Sequence, residues 1–130
     1  MTLAFWCVFF AALLHVLTKF PVSSAQYRQP EGYDNSNPRD QIMRIAGWGR
    51  RASAAHQNQI EAFPLFASGV IIAHLGGTDP ATADAMAVAW IVARLAYWAL
   101  YLADRSTARS TVWMAGYGLS LALLCSPAWS

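Results

Sequence analysis

Two polar side chains, Asn58 and Glu61, stand three residues apart next to a largely apolar stretch of the chain. A separation of three places both on the same face of a helix. Arg51 lies seven residues before Asn58, and Arg50 lies eleven before Glu61. Both separations return to nearly the same helical angle. The spacing therefore predicts a ladder of arginine, asparagine and glutamate that leads from a basic segment into an apolar one.

A second polar stripe is formed by Arg94, Tyr97, Tyr101 and Arg105, whose spacing places them along one face of a helix. Arg94 lies near the middle of an apolar stretch, where an unpaired charge at membrane depth costs several kcal/mol. We therefore expect Arg94 to face a partner, and Glu61 is the acid that the sequence offers.

These two stripes are compatible with two interpretations. Ionisable side chains at membrane depth are candidates for a functional site. The same residues also suit an ion pair and interfacial side chains that only hold helices together. The spacing alone does not favour one interpretation over the other.

The elements that must position these residues follow from where charges are missing. Only 12% of the 130 residues are charged, and 56% are hydrophobic. A helix needs about 20 largely apolar residues to cross a bilayer. Residues 112–125, like 3–14, lack the polar face that a helix of a soluble bundle shows. The sequence predicts an all-α membrane protein, a bundle of four transmembrane helices in one domain, with helices at about 2–18, 38–76, 84–104 and 109–129.

The second of these helices is predicted to be unusually long. Asn37 suits a helix cap, Pro38 the first helical position and Asp40 the first turn. Few strong helix breakers follow before residue 76. Such a helix would span roughly 55 Å and extend into the cytoplasm or lie at the interface. Pro64 is expected to kink it.

The basic residues predict an orientation, because cytoplasmic loops are rich in Lys and Arg. The connection 19–59 holds six basic residues, and the connection 104–109 holds two. The connection 76–84 holds two aspartates and no lysine or arginine. Both termini are therefore expected outside. A signal peptide ending near residues 22–25 is the alternative for the first segment. It is disfavoured because no basic residue precedes the apolar run and Lys19 follows it.

Several other classes of protein and site are disfavoured. The chain is too apolar for disorder, has too few cysteines for a disulfide scaffold and shows no basic cluster typical of nucleic-acid binding. No metal-ligand spacing is present, and His15 and His74 are interpreted as packing residues. Cys7 and Cys125 are expected to be buried structural thiols.

The runs at 54–66 and 94–101 together resemble the MAPEG superfamily, the membrane-associated proteins in eicosanoid and glutathione metabolism. GYDNSNPR at 32–39 resembles its bacterial members in particular. The run AAHQNQIEAFPLF at 54–66 is similar to the family's helix-two pattern, Arg-Ala-His/Gln-x-Asn-x-x-Glu followed by Pro-x-Phe. RLAYWALY at 94–101 matches its helix-three pattern, Arg-x-x-Tyr-x-x-x-Tyr. The resemblance covers about residues 1–129.

The resemblance implies a homotrimer in a bacterial inner membrane, where the charge pattern of the loops places both termini on the periplasmic side. It also implies glutathione as co-substrate, bound between adjacent subunits, and a transferase or peroxidase acting on lipophilic electrophiles. Arginine forks suit the two carboxylates of glutathione, and an arginine near the thiol favours the nucleophilic thiolate. The implied thiolate stabiliser is Arg109. The residues implied for the glutathione pocket are Asn58, Glu61, Arg94, Tyr97, Tyr101, Arg51 and His56.

One position departs from the family's pattern. The motif arginine, four residues before Asn58, is Ala54 here, and Arg50 or Arg51 would have to replace it from one turn further out. Ala54 motivates a second hypothesis, a non-catalytic protein on the MAPEG scaffold that serves as an accessory or structural subunit of a larger membrane complex. A third hypothesis is a site for another amphipathic ligand, such as a lipid or a quinone.

Overall fold

Residues 1–129 form α-helices and one short 3-10 turn, with no strand, in the computed structural model that describes them. This confirms the predicted all-α class. The elements in chain order are α1 (Leu3–Tyr27), α2 (Pro38–Arg44), α3 (Gly47–Leu75), α4 (Pro80–Leu102), α5 (Ser106–Cys125) and the 3-10 turn (Ser126–Ala128).

Helix α1 continues about two turns beyond its predicted end at residue 18. Lys19 and Pro21 suggested an end there, but Pro21 lies inside the helix. The buried face continues past it through Val22, Ala25 and Gln26. Packing of this face outweighs the one backbone hydrogen bond that a proline removes. The connection to the next helix is correspondingly shorter than the sequence suggested.

The prediction of a single helix over residues 38–76 is wrong, because the chain breaks between α2 and α3. Ile45 and Ala46 are extended, and Gly47 has a φ of +61°. This left-handed backbone costs a glycine little. At Gly49, a β-carbon would stand 2.7 Å from the Cβ of Ala25 and 2.6 Å from Ile45, so the glycine permits close contact with α1.

The start of α2 is only partly as predicted. Pro38 occupies the first turn and Asp40 follows it, as expected. Asn37, however, makes no capping hydrogen bond with its side chain. The carboxylate of Asp34 instead accepts hydrogen bonds from the backbone N–H groups of Ser36 and Asn37, both at 3.0 Å. The turn before the helix is thus organised by an earlier residue.

Helix α3 runs antiparallel to α1 along most of its length. The rings of His74 and Phe5 lie 5.1 Å apart at one end. At the other, Nδ1 of His56 lies 2.9 Å from the hydroxyl of Thr18. Between them, His15 packs on Phe63, as expected for a packing residue.

The bundle has one basic and one acidic end. Arg51 approaches Asp104 at 3.9 Å, so the start of α3 and the α4–α5 turn lie at the same end. At the opposite end, the carboxylate of Asp84 accepts a hydrogen bond from the N–H of Ala4. The hydroxyls of Thr78 and Ser126 share a hydrogen bond at the same end. Both termini therefore lie at the acidic end.

Three helices are long and apolar enough to cross a membrane: Leu3–Tyr27, Pro80–Leu102 and the continuous segment Ser106–Ala128. Helix α3 does not meet this criterion, since Asn58, Gln59, Glu61 and His74 interrupt its apolar half. Many large apolar side chains on the other helices face outward. An outward apolar surface of this kind suits a lipid environment.

The last two long helices also differ from their predicted bounds. Helix α4 begins at Pro80 rather than 84, and α5 begins at Ser106 rather than 109. Arg105 precedes α5 and does not belong to the stripe on α4. Cys7 is buried as expected, but the expectation for Cys125 is wrong, because its side chain is exposed.

The core lies where α1, α3 and α4 meet, with Leu123 of α5 closing it. Phe66 stacks on Trp90, with ring centroids 3.9 Å apart and planes within 5°. Around this stack the contact residues are small, which lets the helices approach closely. Those on the three helices include Ala4, Cys7, Ala11, Ala73, Ala83 and Ala87. The rigid core supports the polar residues of α3 and α4 on one side.

Candidate functional site

A cavity of about 170 Å³, partly open to the surface, lies among α3, α4 and α5. We call it the Arg94 cavity. Asn58 and Glu61 line it from α3, and Arg94 lines it from α4, so the structure brings these three predicted residues together. Trp113 and Tyr117 line it from α5.

Arg94 is the most buried charge of the cavity, with 4% of its surface exposed. Its Nε donates a hydrogen bond to Oε1 of Gln59, and its Nη2 donates one to Oδ1 of Asn58, both at 2.9 Å. The guanidinium also lies 4.5 Å from the ring centroid of Tyr97. Two neutral amide oxygens thus hold the cation through its Nε and Nη2 donors, and an aromatic face lies against it.

The predicted ion pair between Arg94 and Glu61 is absent from residues 1–129, in which the ion pair present joins Arg51 and Asp104. Glu61 lines the same cavity but accepts a hydrogen bond from Gln57 at 3.3 Å. Glu61 lies two and three residues after Gln59 and Asn58, the residues that hold Arg94. A guanidinium and a carboxylate therefore line one cavity without forming an ion pair.

An open groove of about 410 Å³ adjoins this cavity at the basic end of α4 and α5. We call it the Arg109 groove. Tyr97, Tyr101 and Arg109 line it, so three more of the predicted residues lie together. The guanidinium of Arg109 lies 4.2 Å from the ring centroid of Tyr101, and the rings of Tyr97 and Tyr101 meet edge to face. Arg109 sits in the first turn of α5, immediately after the α4–α5 turn.

Two predicted pocket residues lie elsewhere in this chain. His56 faces α1, where it contacts Thr18, and it lines neither the cavity nor the groove. Arg51 points toward Asp104 at the basic end and also lines neither. Arg50 donates a hydrogen bond to the backbone carbonyl of Met43. Neither Arg50 nor Arg51 therefore lines the cavity or the groove in the part of the chain that the structure describes.

Sequence reasoning missed Gln59, which is the central polar contact of the site. Its Oε1 accepts from Arg94 while its Nε2 donates to the carbonyl of Ala11 at 3.2 Å. The side chain therefore ties α1, α3 and α4 together. A weak signal for it existed, since a buried polar residue beside a helical stripe must find partners. The apolar wall was missed as well, and it includes Trp90, Trp113, Gly116 and Tyr117.

A family model matches residues 3–129, which is nearly the whole chain, and its description is the MAPEG family. The chain belongs to this family. No curated protein and no solved structure matches it. The family match confirms the resemblance found in the two motifs. It also agrees with an all-helical membrane protein.

In this MAPEG protein, the two motifs that identify the family also build the two adjoining spaces. Asn58 and Glu61 of the helix-two motif face Arg94, the first residue of the helix-three motif, across the Arg94 cavity. The tyrosines of the helix-three motif lead from there into the Arg109 groove. The eight residues 94–101 of α4 therefore lead from the buried Arg94 to Tyr101, whose ring contacts the more exposed Arg109 of α5.

Proposed function

We propose that this MAPEG protein is a glutathione-dependent transferase or peroxidase that acts on lipophilic electrophiles within the membrane. The observation that carries the proposal is the pairing of the Arg94 cavity, which presents a guanidinium and an unpaired carboxylate, with the Arg109 groove beside it. Glutathione carries two carboxylates, an ammonium group and a thiol, and these chemical groups match the two spaces.

Binding is assigned to the Arg94 cavity. The Nε–H of Arg94 donates a hydrogen bond to Gln59, and one N–H of its Nη2 donates to Asn58. The Nη1 donors of Arg94 remain to receive a carboxylate, which a guanidinium binds as a planar fork. Glu61, on the same wall, suits the ammonium group. Oriented donors of this kind bind a charged ligand strongly when water is excluded.

Chemistry is assigned to the Arg109 groove. A positive charge near the thiol lowers the free energy of the thiolate, which is the nucleophilic form. Arg109 supplies that charge, and the thiol proton leaves to solvent at the open end of the groove. The sulfur then attacks an electrophilic carbon and displaces its leaving group. With a hydroperoxide, two glutathione molecules are oxidised to the disulfide while the O–O bond is reduced.

The site is proposed to be completed between subunits of a homotrimer. The Arg94 cavity, at about 170 Å³, is smaller than the roughly 300–1,000 Å³ that ligand sites occupy. A bound tripeptide therefore needs the groove and a further wall. Glu61 and Tyr117 are exposed in the single chain, so a neighbouring subunit has polar and aromatic side chains to cover.

We also propose four membrane-spanning helices in a bacterial inner membrane, with both termini periplasmic. Helix α3 lies antiparallel to α1 along the length of a candidate span, which supports counting it as the fourth. The basic end of the bundle then faces the cytoplasm, because Lys and Arg are enriched there. The acidic end, with Asp79 and Asp84, faces outward.

Isothermal calorimetry of the purified protein with glutathione tests the binding half of the proposal. We expect saturable binding at or below millimolar glutathione, and an Arg94→Leu variant that retains the fold is expected to bind none. Turnover is then measured with an activated aryl chloride and with an organic hydroperoxide. Absence of binding to the wild-type protein at millimolar glutathione would rule the proposal out.

Ala54 supports a second candidate function, a non-catalytic accessory or structural subunit of a larger membrane complex. The motif arginine is missing there, and neither Arg50 nor Arg51 lines either space in this chain. Native mass spectrometry from mild detergent separates the two functions. A homotrimer alone favours the enzyme, and co-purifying subunits of other sequence favour the accessory role.

A further inference from the structure

Trp113 is the one residue that lines both the Arg94 cavity and the Arg109 groove within residues 1–129. Each of the other α5 residues that line these spaces lines only one of them. Gly116 and Tyr117 face the cavity, and Ser110 and Met114 face the groove. The indole therefore stands at the boundary between the space assigned to ligand binding and the space assigned to chemistry.

The indole is one half of an aromatic pair. Trp113 and Tyr117 lie one helical turn apart on α5, and their rings are stacked, with centroids 5.4 Å apart and planes within 15°. Both rings remain partly uncovered in the single chain, with 39% and 47% of their surfaces exposed. The uncovered part of the Trp113 ring presents a flat apolar surface at the boundary, next to Tyr117, which the proposed neighbouring subunit would cover.

Gly116, on α5 between these two residues, lies next to the side chain of Arg94. A β-carbon at Gly116 would lie 3.9 Å from the Cδ of Arg94, an ordinary contact distance. Gly116 therefore places no side chain between the aromatic pair and Arg94. A ligand lying against Trp113 would have the Arg94 cavity on one side and Arg109 on the other.

We propose that Trp113 determines electrophile specificity and that the preferred electrophiles are planar aromatic or conjugated molecules that stack against it. This inference rests on the proposed glutathione-dependent function and names its second substrate class. Offset stacking holds a flat electrophile at the boundary, where the thiolate stabilised by Arg109 reaches its electrophilic carbon. The new C–S bond forms with the thiolate electron pair, the leaving group departs with its own pair, and the thiol proton has already passed to solvent.

Two substitutions at Trp113 distinguish the effect of the aromatic ring from the effect of side-chain volume. Trp113→Leu keeps an apolar side chain of substantial volume but removes the ring, whereas Trp113→Phe keeps a ring. With glutathione and an activated aryl chloride, we expect the leucine variant to raise the KM of the aryl chloride roughly tenfold, an effect of the size that aromatic stacking provides. The phenylalanine variant should recover most of this change. Because Trp113 also lines the Arg94 cavity, the calorimetric Kd of glutathione and the KM of an aliphatic hydroperoxide are the reference values. Both should change less in the leucine variant than the KM of the aryl chloride, because neither depends on stacking.

Trp6→Leu is the matched control, since Trp6 is also a partly exposed tryptophan on an apolar helix but lines neither space. An unchanged KM of the aryl chloride in Trp113→Leu, with glutathione still bound, would overturn this inference alone. A weakening of glutathione binding in that variant equal to the rise in the KM of the aryl chloride would also overturn it, because the effect would then arise at the Arg94 cavity and not from the electrophile. Failure of the wild-type protein to bind glutathione would instead overturn the proposed function, and this inference with it.

Discussion

Two arginines of α4 and α5 occupy contrasting surroundings. Arg94 is buried, and its guanidinium is fixed by the amide oxygens of Gln59 and Asn58. Arg109 is half-buried at the edge of an open groove, with its guanidinium over the ring of Tyr101. No hydrogen bond or ion pair engages that guanidinium within residues 1–129.

The contrast distinguishes a cation whose hydrogen bonds hold helices together from a cation whose donors are available to a ligand. A buried charge is tolerated only when hydrogen bonds satisfy it, and those same bonds fix its position. A cation that rests on an aromatic face keeps all its N–H donors for a ligand. We therefore expect substitutions of Arg94 to damage fold and binding together, and substitutions of Arg109 to damage turnover alone.

The largest effect is expected from Arg94→Leu. The substitution leaves the oxygens of Asn58 and Gln59 without their donor and loosens the link from α4 through α3 to α1. We expect destabilisation on the order of 3 kcal/mol and loss of glutathione binding, because hydrogen bonds to a charged group are the costly ones to lose. Thermal unfolding in detergent and calorimetry measure the two effects.

Arg94→Lys provides the control for that substitution. A lysine keeps the charge but presents a point ammonium in place of a planar fork, so it cannot reproduce both hydrogen bonds. Its stability should lie between those of the wild type and the leucine variant. A leucine variant with wild-type stability and wild-type binding would contradict the structural role of Arg94.

The partner of Arg94 illustrates what the sequence could and could not predict. The spacing placed Asn58 and Glu61 on one face of α3, because helical periodicity determines which residues share a face. The search for an acidic partner then placed Arg94 opposite that face, and all three residues line one cavity. It assigned the wrong partner, since the choice between Glu61 and Gln59 depends on the rotation and depth of α3 against α4. Periodicity within one helix carries no information about those two quantities.

The second largest effect is expected from Arg109→Ala. Removal of the cation beside the groove should lower kcat by about a hundredfold, a loss comparable to that of one preorganised stabilising group in other enzymes. Glutathione affinity and the melting temperature should change little. Initial rates across a range of glutathione and aryl chloride concentrations separate kcat from KM.

Arg105→Ala is the matched control for that change, because Arg105 is an exposed arginine on the same turn that lines neither space. It should retain wild-type turnover. Equal losses in the two variants would show that the overall positive charge of the basic end matters, rather than the position of Arg109. That outcome would remove the contrast between the structural role of Arg94 and the thiolate-stabilising role of Arg109.

A gain of affinity is expected from Ala54→Arg, which restores the arginine of the family's motif. Ala54 is only partly buried, so a longer side chain has space to extend toward the basic end. One added charge-assisted hydrogen bond should tighten the Kd of glutathione roughly tenfold. Ala54→Met adds length without charge and should leave the Kd unchanged. If both variants bind as the wild type does, Ala54 is not the position that limits binding.

The break between α2 and α3 shows a second limit of the sequence. Gly47 and Gly49 were visible, but a glycine in a helix-like pattern is tolerated as often as it ends the helix. What decides the break is the contact of Gly49 with Ala25 of α1, together with the left-handed backbone of Gly47. That contact depends on α1 reaching Tyr27, which the sequence pattern did not predict.

The smallest effect is expected at the acidic end of the bundle, away from both arginines. Asp79 caps α4, accepting hydrogen bonds from the backbone N–H and the hydroxyl of Thr82, both at 2.9 Å. The hydroxyl and then the backbone donor hold the pKa of this carboxyl below its ordinary value. The ionised form is therefore favoured in the folded protein, so the cap stabilises it above the ordinary pKa of the carboxyl. This stabilisation disappears as the pH falls through the lowered pKa.

Asp79→Ala should accordingly lower the melting temperature slightly at about pH 6, and the difference from the wild type should shrink toward about pH 3. Asp79→Asn keeps a side-chain acceptor at the cap, so its smaller difference isolates the contribution of the charge. Turnover should be unchanged in both variants, because Asp79 lines neither the Arg94 cavity nor the Arg109 groove. A loss of turnover there without a loss of fold would mean that the acidic end takes part in the reaction, and that the function does not reside in the two arginines alone.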